Sequence, residues 1–532
     1  MNRYSIVAAY CLMAVCGCSV NQSDIERLNA TAAAEYQTPI RPASEGRNPC
    51  WNKYCKKFIY APAFDIEPKE DALKYRFIVR ETSGSGGEWS FESASPTSDL
   101  SPIWESIPPS NVILTVLAIK DNGADTVYQR SFLRDFPFHS PYNSNVRPYR
   151  EAAMMAALYI HNMPGVQKLK ISDEPDLDLY SHFTYANKIL GSLITVESLI
   201  AKNVAGLRTE ALTIAKNAAS FLIRESRPAG DRLEFFPPTY YGGLVASGKD
   251  WNAGRTMTMD ACYAGNAFLD LFNVTGDSLY YDRAMKIAAT FAKIQNEDGS
   301  FPIKVDFQTG EPVNAAKAML HPILNYTRRL ENEYGVKIYS AMREKAERWM
   351  KEVALETFDL TGQFEDVTVE GLEPYQNLTN CTAAPYASYI LHRKPSDRDI
   401  EDARDLIRLS EDQFVHWDAI PDEYGIRTIA TPCVFEQHKY QVPVDNSTCN
   451  VANAYLDLYE VTGDKLAFSK AKALIDNLTV VQDVTDGKIP TTFNLRSPEK
   501  NKSRTFWINC SRASIVTLLR MAALTDEARN ME

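Results

Sequence analysis

The sequence predicts a mainly α-helical fold, six helical hairpins closed into an (α/α)6 toroid, with a small N-terminal β-sandwich of the immunoglobulin-like kind. Three observations predict it. Two segments 187 residues apart are near copies, Cys262-Tyr-Ala-Gly-Asn266-Ala-Phe-Leu-Asp270-Leu-Phe-Asn-Val-Thr-Gly276-Asp277 and Cys449-Asn-Val-Ala-Asn453-Ala-Tyr-Leu-Asp457-Leu-Tyr-Glu-Val-Thr-Gly463-Asp464. Each reads as an apolar-periodic helix closed by glycine in the left-handed cap position, after which aspartate caps a second helix. Apolar periodicity then gives twelve helices, near 149–163, 182–200, 206–225, 258–275, 278–295, 314–334, 337–352, 381–393, 397–415, 447–461, 465–479 and 508–524. Finally, connections inside a hairpin are tight, as in the two Thr-Gly-Asp turns, whereas those returning to the next hairpin are long. Long loops gathered on one rim of a compact domain usually carry function, so the site is expected where the inner helices begin.

Taken in chain order, residues 1–17 read as a lipoprotein signal peptide. Arg3 supplies the positive start, the apolar run 6–15 is too short to span a bilayer, and Gly17 precedes Cys18, the expected lipidation site. Residues 18–46 are expected to be a tether, placing the protein in the periplasm or at the outer membrane or cell surface, with membrane contact through the lipid alone. Residues 47–138 show strand-like runs separated by turn signals such as Pro108-Pro109 and Asp121-Asn-Gly123, which gives the sandwich. Residues 139–532 form the barrel.

A net charge of −11 excludes a general nucleic-acid binder, because phosphate binding needs a basic surface. An anionic substrate would need a local cluster of cations. Of ten cysteines, three lie in the signal region and seven remain, so at least one thiol is free; Cys50 and Cys55 are spaced for a small bridge. Cys262, Cys381, Cys449 and Cys510 recur at inner-helix starts, but their spacing matches no zinc pattern and small buried packing residues explain them. No metal and no cofactor are expected, and oligomeric state is not legible.

The long-loop rim carries three candidate segments. Residues 226–257 hold Tyr240, Tyr241 and Trp251 ahead of Arg255 and Asp260, aromatic faces beside hydrogen-bonding groups that suit a sugar; Phe235 and Phe236 are read as loop packing. Residues 362–381 hold Glu365, Asp366 and Glu373, candidate carboxyls that a solvated acidic loop would equally explain, and Gln376, a candidate for binding the substrate. The run Cys433-Val-Phe-Glu436-Gln437-His438-Lys439-Tyr440 is the densest chemical cluster, and Trp507 adds a further ring. Glycosidic cleavage generally needs two carboxyl groups, one protonating the leaving oxygen and one attacking, stabilising or activating water. Glu365 or Asp366 with Glu436 is the expected pair, and Lys439, Arg255, Arg427 and Arg504 are cations available to a uronate carboxylate.

The layout resembles the six-hairpin glycosidases of bacterial glycan-degrading systems, over roughly residues 145–525. Thr448-Cys449-Asn450, the Thr-Gly-Asp turn, Asp486-Gly487 and Phe506-Trp507-Ile508-Asn509-Cys510 are similar to the β-L-arabinofuranosidases that use a zinc-bound cysteine nucleophile. Their Glu-x-Cys is Ser447-Thr448-Cys449 here, and their paired cysteines after Phe-Trp are Ile508 and Asn509 before a lone Cys510. The lipoprotein glycosidases of this fold that remove glucuronic acid are the nearer resemblance. It implies a glycoside hydrolase, exo-acting on a uronate-containing oligosaccharide. The alternatives are a polysaccharide lyase with His438 and Tyr440 as base and acid, and a non-catalytic glycan-binding lipoprotein.

Overall fold

The computed structural model describes residues 22–41, 51–82, 86–242, 252–363, 372–418, 430–492 and 506–531. The signal segment, Cys18, Cys50, Trp251, Glu365, Asp366, Arg427 and Arg504 lie outside the described residues.

Helix α1 (Gln22–Gln37) occupies much of the expected tether. It is docked, not free: Tyr36 is buried and its hydroxyl donates to Glu411, 2.7 Å away on the barrel. The sequence hides this because the helix buries only Ala32 and Tyr36 along an otherwise polar surface.

Next come β1 (Lys57–Phe58), β2 (Lys74–Glu81), β3 (Glu88–Ser93), the short α2 (Ser101–Trp104), β4 (Ser110–Lys120) and β5 (Gly123–Arg134). They form one five-stranded sheet in the order β1-β5-β4-β2-β3, with β1 parallel to β5 and the other pairs antiparallel. A two-layer sandwich was the expectation; among the described residues the second layer is not a sheet. Strand β4 alternates strictly, burying Val112, Leu114, Val116 and Ala118 on one face, and these pack in one core with Phe58 of β1 and with Phe64, Trp104 and Ile107 from α2 and the connecting segments. Trp104 Nε1 donates to the Ile59 carbonyl at 2.9 Å, fixing this cover.

After the sheet come α3 (Tyr149–His161) and the short α4 (Pro164–Lys168), then the ring. The inner helices are α5 (Ala186–Asn203), α7 (Ala261–Thr275), α9 (His321–Tyr334), α11 (Asn380–Leu391), α13 (Asp445–Thr462) and α15 (Ile508–Met531). The outer helices are α6 (Arg208–Glu225), α8 (Ser278–Ile294), α10 (Ser340–Trp349), α12 (Asp397–Phe414) and α14 (Lys465–Val481), completed by α3. Each inner helix packs on the next and α15 packs on α5, while α3 covers α15, so the first helix of the ring pairs with the last. This is the (α/α)6 toroid, with all twelve expected helices. Helix α9 starts later than its periodicity suggests, because Pro322 in its first turn sets the start and Lys317 is still bridged to Pro302.

The repeat has a structural cause. Gly276 and Gly463 close α7 and α13 in the left-handed region (φ 71° and 72°), and Asp277 and Asp464 accept from the backbone N–H of Leu279 and Leu466 at 3.0 Å. Within the helices, the shared Asn-x-x-x-Asp receives an arginine from a neighbouring inner helix. Arg329 donates to the Asn266 carbonyl at 3.1 Å and to Asp270 at 2.7 Å; Arg520 donates to the Asn453 side chain at 3.1 Å and to Asp457. The copied residues are a clamp between inner helices.

Sheet and barrel are joined by buried charge. Lys57 on β1 lies 3.4 Å from Asp135, which is also 2.9 Å from His416, and Asp412 accepts the N–H groups of Ile59 and Tyr60 at 2.7 and 2.9 Å. Beside them Glu411 accepts from Tyr36, Tyr60, Tyr455, Trp417 Nε1 and Lys470, all within 2.9 Å. Burial alone would raise the Glu411 carboxyl, but Lys470 and the hydroxyls hold it below the usual carboxylate range.

Candidate functional site

The loop-rich rim contains five short strands, in two small sheets, that a sequence reading takes for loop. Strand β6 (Arg255–Met257) pairs with β7 (Lys304–Asp306), and β8 (Val415–His416) pairs with β9 (Cys433–Gln437), which turns back as β10 (Tyr440–Pro443). The β9–β10 hairpin is pinned to the start of α11. Asn380 Nδ2 donates to the carbonyls of Phe435 and, at 3.0 Å, Glu436, while Asn377 donates to Gln437 at 2.8 Å and accepts from the Lys439 N–H at 3.1 Å. Two buried asparagines thus aim Glu436 into the ring.

Below the rim lies a cavity of about 920 Å³, walled by the first turns of all six inner helices. Helix α5 supplies Lys188 and Ser192; the turn before α7 supplies Asp260, followed by Cys262 and Tyr263; α9 begins with His321; α11 gives Cys381; α13 gives Asn446 and Asn450; and α15 gives Asn509, Cys510 and Arg512. Glu436, Gln437 and Tyr440 enter from the hairpin. Gly191 is required here, since a Cβ would stand 2.9 Å from the Tyr263 backbone where α5 meets α7. Trp507 forms an aromatic wall, stacked on His182 at 4.0 Å between ring centroids and tilted against Tyr185 at 5.0 Å.

The electrostatics are mixed. Asp260 and Lys188 are only 1% and 4% exposed. Burial lowers His321 to about 3 and His182 to about 4, so both imidazoles are neutral near pH 7. The Cys381 thiol is pushed up to about 12 by burial and by the Glu436 charge, and Cys510 is raised as well, which makes both poor nucleophiles. Burial, with the charge of Glu436 adding, also raises Asp445 behind the wall, where its carboxylate accepts from Ser514 Oγ at 3.0 Å.

Of the residues singled out in the sequence, Asp260, Glu436, Tyr440 and Trp507 meet in this cavity. Tyr240 lies one ring behind the wall, 5.7 Å from Tyr185. Tyr241 is turned outward, its ring against Phe221 and its hydroxyl on Glu174. Arg255 sits on β6 opposite Asp306, outside the cavity lining. Glu373 is a surface partner of Lys53 at 2.9 Å and of Tyr54, and Gln376 bonds back to the Glu373 N–H at 3.1 Å, so this loop reaches the β-domain and not the cavity. His438 sits in the hairpin turn on the far face, its ring 5.3 Å from Phe414 and lowered to about 4 by burial. The His438–Tyr440 base-and-acid pair therefore loses its geometry. Lys439 is exposed in the same turn.

The residues missed were Lys188, His321, Asn509 and Arg512. One signal existed: Lys188, Ser192, Thr195 and Leu199 make a stripe of one helical face in which polar groups stand where an inner helix would otherwise be apolar. The cysteines are buried as expected, and Cys262, Cys381 and Cys510 also line the cavity. Cys55 is a buried free thiol, 2.8 Å from the Lys57 carbonyl. Cys449, in the expected Ser447-Thr448-Cys449 stretch, is held at about 12 by burial and by Asp445 and lies outside the cavity lining. Among the described residues no group of three His, Cys, Asp or Glu side chains is placed to hold a metal ion. The donor set does not fit zinc–thiolate chemistry.

Fold and cavity together define an (α/α)6 barrel protein with its pocket at the loop-rich end. No protein-family model matches the chain, and no curated protein matches its sequence. Solved structures do. A family 76 glycoside hydrolase from a bovine Bacteroides thetaiotaomicron strain aligns over 86% of this chain and 95% of its own, with a TM-score of 0.50 and 9% identity. A cellobiose 2-epimerase from Spirochaeta thermophila (12% identity, 71% and 98% covered, TM-score 0.49) and an unsaturated glucuronyl hydrolase specific for heparin (11%, 71% and 98%, 0.45) are also similar. At these identities the likeness is one of fold. Among the described residues, no helix is long and apolar enough to cross a membrane.

Proposed function

We propose that the chain is a glycoside hydrolase that removes a terminal uronic acid residue from an oligosaccharide, with Glu436 and Asp260 as the carboxyl pair. The observation that carries this reading is their entry into one aromatic-walled cavity at the loop-rich rim, the arrangement that sugar recognition and acid–base cleavage both need. Glu365 and Asp366 compete with Asp260 for the second role. Glycan-acting enzymes of the same fold, among them the hydrolases named above, are consistent with it. An anchored lipoprotein acylated at Cys18 belongs to the same proposal, and loss of membrane retention in Cys18→Ala tests it.

The test is incubation with a panel of uronate oligosaccharides and analysis of products. Release of a free uronic acid, lost in both Glu436→Gln and Asp260→Asn, supports the reading. A variant pair Glu365→Ala and Asp366→Ala that alone abolishes turnover moves the second carboxyl to that loop. Rising ultraviolet absorbance during turnover would mean elimination, and binding without product would mean a glycan-binding protein.

A further inference from the structure

We infer that Arg512, with Lys188 beside it in the same cavity, is the seat for an oxyanion carried on a sugar, the carboxylate of a uronate or a sulfate ester. This rests on the sugar-binding reading of the cavity and deepens it. Arg512 stands in the second turn of α15 and lines the cavity, its guanidinium carbon 5.9 Å from the Tyr263 ring centroid. Its Nε is enclosed and has no hydrogen-bond partner, and no carboxylate forms an ion pair with it, among the described residues. By contrast, Arg329 on α9 and Arg520 further along α15 spend their guanidinium groups on Asp270 and Asp457.

A guanidinium is always charged, and on the wall of a cavity the group that best meets that charge is an anion, through charge-assisted hydrogen bonds. Asp260 and Glu436 share the cavity but make no ion pair with Arg512. Lys188, almost wholly buried on α5, adds a second positive charge to the same cavity, its Nζ 5.7 Å from the Tyr185 ring centroid. Two cations in one cavity suit a ligand with a forked pair of oxygens, which a guanidinium meets with its donor groups. A neutral sugar would leave the guanidinium charge unmet.

Of the cations singled out in the sequence, Lys439 and Arg255 lie outside the cavity lining, and Arg427 and Arg504 fall outside the described residues. Because Arg512 makes no hydrogen bond within the described protein, its replacement removes little that holds the fold, and a melting temperature within about 2 °C of wild type is expected.

The experiment is calorimetric titration of the full chain, wild type, Arg512→Gln and Arg512→Lys, with glucuronate, glucose 6-sulfate and glucose. The expected result is about tenfold or more tighter binding of at least one charged sugar than of glucose to wild type, abolished in Arg512→Gln and partly kept in Arg512→Lys. Whichever charged sugar shows the preference identifies the carboxylate or the sulfate as the natural group. Equal binding of charged and neutral sugars, no binding of either charged sugar, or a preference that survives Arg512→Gln overturns the inference. Turnover separates the two readings. Uronides cleaved equally well by wild type and Arg512→Gln overturn the inference and leave the proposed function standing, whereas Arg512-dependent anion binding without any cleavage does the reverse.

Discussion

Two polar clusters enclosed by this barrel differ in where their hydrogen bonds go. Around Glu411 both carboxylate oxygens are used by donors from α1, the segment after β1, the segment after β8, α13 and α14. At the cavity, Ser192 Oγ, Ser198 Oγ, His321 Nδ1, Asn509 Oδ1 and Arg512 Nε are enclosed yet have no partner among the described residues. Buried polar groups in folded proteins are overwhelmingly satisfied. The first cluster therefore reads as an internal fastening, and the second as polar groups around the cavity that the described protein leaves unmet.

Breaking the second cluster should cost chemistry. Replacing Glu436 or Asp260 by its amide is expected to lower turnover on the true substrate by about 10²–10⁴-fold, with a melting temperature close to wild type. Full activity in either variant would remove that residue from the reaction. Breaking the first cluster should cost stability. Glu411→Ala strips Lys470, three tyrosine hydroxyls and the Trp417 N–H of their common acceptor, and about 3–5 kcal/mol of loss is expected in denaturant unfolding. A variant as stable as wild type would show that the fastening is redundant.

A smaller effect sharpens the contrast on the rim of the outer layer. Asp399, in a capping box with Ser396 and bonded to Lys351 at 2.7 Å, is held at about 2, its partners outweighing its burial. A depressed carboxyl stabilises the fold above its unfolded pKa and loses that effect as pH falls toward 2. Asp399→Ala should cost about 1 kcal/mol at pH 7, and the difference from wild type should fade in melts between pH 4 and pH 2. Smallest of all is Asn509→Ala: with its Oδ1 unpartnered within the described protein, the stability change should stay within about 0.5 kcal/mol while KM for the substrate rises.

These differences explain what could be read before the structure. The twelve helices were legible because burying one face imposes a period near 3.6 along each of them, and the glycine caps and Asp starts mark their ends. Docking of α1 was not, since it depends on Tyr36 reaching a carboxylate 375 residues away. Asp260, Glu436, Tyr440 and Trp507 were found because rim position and chemical type agreed. Glu373, His438 and Tyr241 had the right type in the right loops, but the pinned β9–β10 hairpin turns His438 away, Lys53 draws Glu373 toward the sheet, and Phe221 and Glu174 hold Tyr241 outward. Arg512 and Lys188 were passed over because a cation on a helix is ordinarily a solvated one.

The two Asn-Asp-Arg clamps are alike in bonding but not in what lies beside them. Asp270 and Arg329 face the cavity, which continues along α5, α7 and α9 as far as Lys202 and Val274, while on α11, α13 and α15 its lining stops at Cys381, Asn450 and Val516. There the matching Asp457 is covered by His392 at 2.8 Å. The bore is thus eccentric, a slanted shaft in a ring of nearly regular helices. A straight rod lowered down the axis would strike the α11–α13–α15 side, whereas one leaning toward α7 would descend, so two linked rings would be sorted by the bend between them before any contact with their substituents.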